Sequence, residues 1–196
     1  MNSMNHSSDY NEDLKQAIKT LKEGGIILYP TDTVWGIGCD ATNEAAATRI
    51  YGLKKREDTK SMLILLDHDG RLERYVSEVP EIAYELIEVS DKPITIIYPG
   101  AKNLAANLVA ADGSIGIRIS MDEFSRKLVY GLGKPIVSTS ANISGEPAPR
   151  NFDGITDYIK DNVDYVVKYR QDDLTKALPS SIIKLGTGGQ IQIIRK

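Results

Sequence analysis

Cysteine is almost missing from this 196-residue sequence: Cys39 stands alone, which excludes an internal disulfide and fits a reducing cytoplasm. Histidine is nearly as scarce, and neither His6 in the polar start nor His68 in a "DHDG" turn is placed for catalysis. No apolar run approaches the roughly 18 residues of a membrane span, and "MNSMNHSSDY" lacks the basic and apolar regions of a signal peptide. An excess of basic charge is lacking too. With 24 Lys and Arg against 27 Asp and Glu, the net charge is -3, which argues against a surface that grips nucleic acid throughout and leaves room only for a local basic site. There is no internal repeat, no low-complexity tract and no dividing linker. What remains is a chain with 41% hydrophobic residues, enough for one sizeable α/β core. The expected organisation is a flexible N-terminus over residues 1–10 and a single domain over 11–196.

The patterning alternates between the periods of helix and strand. "NEDLKQAIKTLKEGG" places Leu14, Ala17, Ile18 and Leu21 on one helical face and stops at Gly24 and Gly25. "IILYPTDTVWGIGCDA" begins as a β-branched strand, breaks at Pro30 into a loop of Thr, Asp and Gly, and gives way to helix at "TNEAAATRIYGL". Further strands are expected at "MLILL", "ITIIY", "IGIRI", "PIVSTS", "DYVVKY", "SIIKL" and "IQIIR", and helices at "PEIAYELIEVS", "DEFSRKLVYGL" and "FDGITDYIKDN". Such alternation predicts an α/β fold, a twisted mixed sheet flanked by helices.

Three segments carry chemistry. In "YGLKKREDTK", Gly52 is a candidate helix terminator; an extended "LKKRED" beyond it would turn Lys54 and Arg56 to one side, suited to an anion, and Lys55 to the other. The competing reading is a solvated turn in which Glu57 and Asp58 balance the charge. "PIVSTSANISG" is an apolar strand that empties into hydroxyls, an amide and a glycine, which bind phosphate, carboxylate or a base edge without bringing charge, and which are also ordinary turn formers. Arg118 sits midway along the apolar strand "IGIRI", where it needs an anionic ligand or a buried carboxylate to offset desolvation.

Taken together, "YPTDTVWGIGCDA", the Lys-x-Arg of "LKKRED", "IGIRIS" and "STSANISGEPAP" follow the order and approximate spacing of the YrdC-like threonylcarbamoyl-AMP synthase family, which this chain resembles over about residues 13–195. The resemblance implies a YrdC-like fold with a concave basic groove. It implies an ATP-dependent nucleotidyltransferase that makes L-threonylcarbamoyl-AMP from L-threonine, bicarbonate and ATP, releasing pyrophosphate. The product would feed threonylcarbamoyl modification of tRNA, with other tRNA-modification enzymes as downstream partners. Lys54 and Arg56 would be catalytic. They would bind ATP together with Arg118, Ser138, Ser140, Asn142 and Arg195, while Thr31, Thr33, Arg118, Ser140, Ser144 and Ser180 would bind threonine. The chemistry needs positioning and charge stabilisation and no covalent nucleophile. Mg2+ would accompany ATP, held by its phosphates, with no dedicated protein metal site. Trp35 and Tyr29 would be packing or groove walls.

The chain departs from the family pattern where many members have Pro after Lys-x-Arg and "NPL" before the next strand; here stand Glu57 and "KSM". A related branch of the same fold also lacks that proline. The alternatives are a non-catalytic protein of this fold that binds double-stranded RNA in the same groove, or a carbamoyl-adenylate enzyme with another substrate. The acidic total implies at most weak direct RNA binding.

Overall fold

The computed structural model describes residues 3–55, 62–175, 178–186 and 190–196. Its first helix, α1 (Ser3–Lys22), buries Ala17 and Leu21, with Leu14 and Ile18 beside them, and closes at Gly24, whose φ of +80° a side chain would resist. The backbone of residues 3–10, expected to be a loose lead, is part of this helix. After β1 (Ile27–Tyr29) comes a strand the sequence concealed, β2 (Gly36–Gly38), followed by α2 (Glu44–Leu53), which Asn43 caps by accepting from the Ala46 N–H at 3.0 Å. The chain continues through β3 (Leu63–Leu66), α3 (Glu81–Val89), β4 (Ile94–Tyr98) and β5 (Ile115–Ile119). Then follow α4 (Glu123–Leu132), β6 (Ile136–Ser140), α5 (Asp157–Asp161), β7 (Tyr165–Val166), β8 (Ser181–Leu185) and β9 (Ile191–Arg195). "FDGITDYIKDN" divides into a 3-10 turn over Phe152–Gly154 and the short α5.

The described strands form one mixed sheet in the order β7-β1-β2-β6-β3-β5-β4-β8-β9. Alternation gives the sheet two unlike faces. Ile64, Leu66, Ile96, Tyr98, Ile115, Ile117 and Val137 point to one face, where α2 and α3 cover them with Ala46, Ala47, Ile50 and Ala83. On the other face Ile27, Tyr29, Leu65 and Ile136 lie under α1 and α4, which bring Leu21, Phe124, Leu128 and Val129. These two helices reach only part of a wide sheet. Beyond Leu65 its register partner Arg118 faces the same way, then Gly116, Ile97 in register with Gly116, and Lys184 in register with Ile97. There the face lines a cavity instead of a helix.

The two glycines of β2 are packed unequally. A Cβ at Gly38 would stand 2.6 Å from the Val137 carbonyl and 2.7 Å from Tyr29, whereas one at Gly36 would meet nothing nearer than 3.3 Å. Gly38→Ala is therefore expected to cost about 2–3 kcal/mol through overpacking, and Gly36→Ala less than half of that. Urea unfolding of both variants checks this, through the shift in midpoint at unchanged slope.

Candidate functional site

The bare part of the sheet floors a cavity of about 640 Å3. Its floor and walls come from β2 (Gly36), β4 (Thr95, Ile97), β5 (Gly116, Arg118), β6 (Ser138, Ser140), β8 (Ile182, Lys184) and β9 (Arg195), with Thr33, Ser114 and Ser180 from adjoining loops. Of the residues named for a site, Thr33, Arg118, Ser138, Ser140, Ser180 and Arg195 meet here, although more than 160 residues separate the first from the last.

Arg118 is the buried charge of the floor, with its side chain 4% exposed. The carboxylate foreseen as one of its two possible partners is present: Asp32 Oδ1 lies 3.2 Å from an Arg118 terminal nitrogen, and Asp32 Oδ2 accepts from the Met121 N–H at 2.9 Å. Yet Arg118 also lines the cavity, and its Nε has no hydrogen-bond partner. The pairing therefore does not remove it from the site. Thr31 does not line the cavity; its hydroxyl donates to the Val34 carbonyl at 2.8 Å and accepts from the Thr33 N–H at 3.0 Å, so it shapes the turn that presents Thr33. Across the floor, Arg195 Nε donates to the Ser180 carbonyl at 2.9 Å, and the Ser180 and Thr95 hydroxyls are 2.8 Å apart. Burial, and after it the nearby Arg118 charge, pull Arg195 below the usual guanidinium range.

Lys54 requires a correction. Helix α2 does not stop at Gly52 but runs to Leu53, Lys54 is its αR cap, and Lys55 follows at φ 48°, so "LKK" is not extended and the alternation argument fails. Only 1% exposed, Lys54 does not line the cavity. Its ammonium donates to the carbonyls of Ser140 at 2.5 Å and Asn142 at 2.6 Å, and its own carbonyl accepts from the Ser144 N–H at 2.8 Å. The lysine thus fastens the loop after β6. In that loop the Asn142 side chain donates to the carbonyls of Ile143 and Glu146 at 3.0 and 2.7 Å, and neither Asn142 nor Ser144 lines the cavity. Arg56 lies outside the described residues.

Sequence reasoning missed Asp32, Thr95, Gly116, Ser114, Asp112 and Lys184. Thr95 and Lys184 had a signal, since each interrupts an apolar strand as Arg118 does. Asp112, joined to Lys184 at 2.6 Å from 72 positions away, had none. Among the described residues no three His, Cys, Asp or Glu side chains cluster closely enough to hold a metal ion, and no helix is long and apolar enough to cross a membrane.

A cavity on the bare half of a mixed sheet, with two arginines and several hydroxyls converging on it, defines an α/β protein with a cleft on one sheet face. The family model for Sua5, YciO and YrdC, described as "Telomere recombination", matches residues 19–196, and the chain belongs to that family. It is 34% identical over 140 residues to a threonylcarbamoyl-AMP synthase of Vibrio cholerae, which covers 70% of this chain and 74% of the relative. Among solved structures, P. abyssi Sua5 complexed with L-threonine superposes with a TM-score of 0.79 at 25% identity, over 88% of this chain. This chain spans half the length of that Sua5. E. coli YciO gives 0.81 at 24% identity, over 93% of this chain and 88% of its own, which is a likeness of fold.

Replacing Lys54 by Met, of similar length but without donors, removes both ammonium hydrogen bonds; the Ser140 carbonyl keeps the Asn142 N–H at 2.9 Å, the Asn142 carbonyl loses the lysine donor, and the change is expected to destabilise by roughly 2–4 kcal/mol. Lys55→Ala loses only a cation–π contact 5.6 Å from the Tyr158 ring and is expected to cost under about 1 kcal/mol. Thermal or urea denaturation of the pair distinguishes the buried lysine from its neighbour.

Proposed function

We propose that this protein is an L-threonylcarbamoyladenylate synthase, a nucleotidyltransferase acting on ATP, L-threonine and bicarbonate. The observation that carries the reading is one cavity in which Thr33, Arg118, Ser138, Ser140, Ser180 and Arg195 converge from five separate segments. The named activity of the Vibrio cholerae relative and the threonine in the P. abyssi structure support it. Threonine's amine condenses with bicarbonate to a carbamate and water; a carbamate oxygen attacks the α-phosphorus of ATP, and pyrophosphate leaves. Negative charge gathers on phosphate oxygens in that step, so oriented cations and hydroxyls supply the catalysis. Arg118 and Arg195 would face the phosphates. Thr33, Ser138, Ser140 and Ser180 would orient carbamate and threonine, and Lys54 would hold the loop that carries Ser140. Arg56, given a phosphate-binding role by the family resemblance, keeps that role as part of the proposal.

Mg2+ entering with ATP would be held chiefly by its phosphates, because Asp112, the carboxylate that lines the cavity among the described residues, is already engaged with Lys184, and Asp32 behind the floor with Arg118. The product would pass to enzymes that modify tRNA, in the cytoplasm. Direct tRNA binding would be weak at physiological salt, since a few cations in a cleft offer few of the phosphate contacts a stem requires.

The test is pyrophosphate release with ATP, Mg2+ and bicarbonate, run against each amino acid in turn. Stimulation by threonine above all others is expected; release that no amino acid stimulates, or that another stimulates more, overturns the reading. Arg118→Met combined with Asp32→Asn, which leaves no buried carboxylate unpaired, should fold and lose at least about 100-fold in turnover. Circular dichroism and single-turnover assays on the double variant separate loss of chemistry from loss of fold.

A further inference from the structure

At the end of the cavity away from Arg118, the turn before β5 carries a bonded group of three side chains. Asp112 Oδ1 accepts from the Ser114 N–H at 3.1 Å and from the Ser114 hydroxyl at 2.6 Å, while Oδ2 accepts from Lys184 Nζ at 2.6 Å. The Lys184 ammonium first, and the Ser114 donors next, hold the Asp112 carboxyl down at about 2. It is ionised at neutral pH, and an ionised carboxylate only accepts hydrogen bonds. The one proton of the Ser114 hydroxyl is thereby committed to Asp112. Towards the cavity, which Ser114 lines, that oxygen has lone pairs to offer and no donor.

Ser114, which directly precedes β5, and Arg118 on it both line the cavity and are four residues apart, about 13 Å at strand rise. Between them Gly116 adds no side chain to the floor, and Ile97, Ile182, Ala110 and Ala111 make the surroundings apolar. The cavity thus has a cationic end, a flat apolar middle and a fixed acceptor at its far end. A nucleotide has the matching order of parts: charged phosphates, then an uncharged flat ring with a hydrogen-bonding edge.

We propose that Asp112 is a positioning residue that selects the nucleobase: by holding the Ser114 oxygen as a pure acceptor, it favours a purine with an amino group at the 6-position over one with a carbonyl there. This rests on the reading of the cavity as a nucleotide site. An amino group donates to Ser114, whereas a carbonyl would set two acceptors face to face, with roughly tenfold or greater loss of affinity. Lys184 restrains Asp112 from β8 but does not set the hydroxyl's direction.

The experiment is titration calorimetry with ATP and with ITP, which differ in that substituent, in Mg2+ but without amino acid or bicarbonate so that nothing turns over. The wild type should bind ATP roughly tenfold or more tightly than ITP. Asp112→Ala frees the hydroxyl to rotate and donate, so the ratio should fall towards one, mainly through tighter ITP binding. Ser114→Ala should also lower the ratio, through weaker ATP binding, and Lys184→Met should retain it. If Asp112→Ala weakens both nucleotides equally and keeps the ratio, Asp112 has only a structural role and the proposal fails. ATP binding without preference over ITP in the wild type overturns this inference alone; binding of neither nucleotide overturns the synthase reading with it.

Discussion

A guanidinium on an interior strand of a largely apolar sheet is the constraint from which most of the site follows. Arg118 cannot lie there desolvated without a counter-charge, and Asp32 supplies it from the loop after β1. That carboxylate must be held in turn, so its second oxygen takes the Met121 N–H, and the loop is tied to the entrance of α4. Other bonds fix the same loop: the Ser125 hydroxyl donates to the Pro30 carbonyl at 3.2 Å, and Arg170 bridges the Thr31 carbonyl and Asp122 Oδ1 at 3.4 and 3.1 Å. A buried pair of this kind adds little net stability, since apolar residues of similar volume often do as well. What it does provide is a charge in the cavity floor beside a rigid Thr-Asp-Thr turn.

Lys54 does for the loop after β6 what Asp32 does for the loop after β1. Both contacts fix a cavity wall through a group that lies outside the cavity, and both join segments far apart in the chain, 86 residues in the case of Lys54 and Ser140. The cavity itself comes from the unequal lengths of sheet and helices. Helices α1 and α4 cover the face at Tyr29, Leu65 and Ile136 and do not extend over β4, β5 and β8, where that face therefore carries Thr95, Gly116 and Arg118 in place of large apolar residues. Fold and cleft are consequences of one pattern of alternation.

Most elements were legible in the sequence because their patterning was strong. The apolar period in "NEDLKQAIKTLKEGG" and the β-branched runs at "ITIIY" and "IGIRI" are helix and strands as expected. Strand β2 was not, because its "GIG" is short and its glycines read as loop, although at Gly38 a side chain would collide with the Val137 carbonyl of β6 and Tyr29 of β1. Lys54 was misread for a related reason. Gly52 reads as a stop, but nothing lies within 4 Å of where its Cβ would be, and it remains inside a helix that the Lys54 contacts hold to the end. Arg118 was legible because a charge in an apolar strand always demands a partner. The identity of that partner was not, since pairings such as Asp32 with Arg118 or Asp112 with Lys184 depend on sheet order and loop course, which no local pattern records.

The distribution of compensated charge decides what the cavity suits. Arg118 faces Asp32, and Lys184 faces Asp112, so each of these cations is largely neutralised where it stands. Among the described residues Arg195 has no carboxylate within ion-pair distance; it donates to the Ser180 carbonyl and hydroxyl and carries its charge into the cavity. Burial, and after it the nearby Arg118, raises the energy of that charge and holds the Arg195 pKa below the usual guanidinium range. An anion placed between the two arginines would relieve that repulsion as well as gain two attractions. A long polyanion would gain little more from them than a short one, because the uncompensated positive charge is confined to one end of a cleft and bounded by Asp112 at the other. The arrangement therefore suits a compact, multiply charged ligand whose remaining parts are flat and uncharged, and it accounts for a site of this kind on a chain whose total charge is negative.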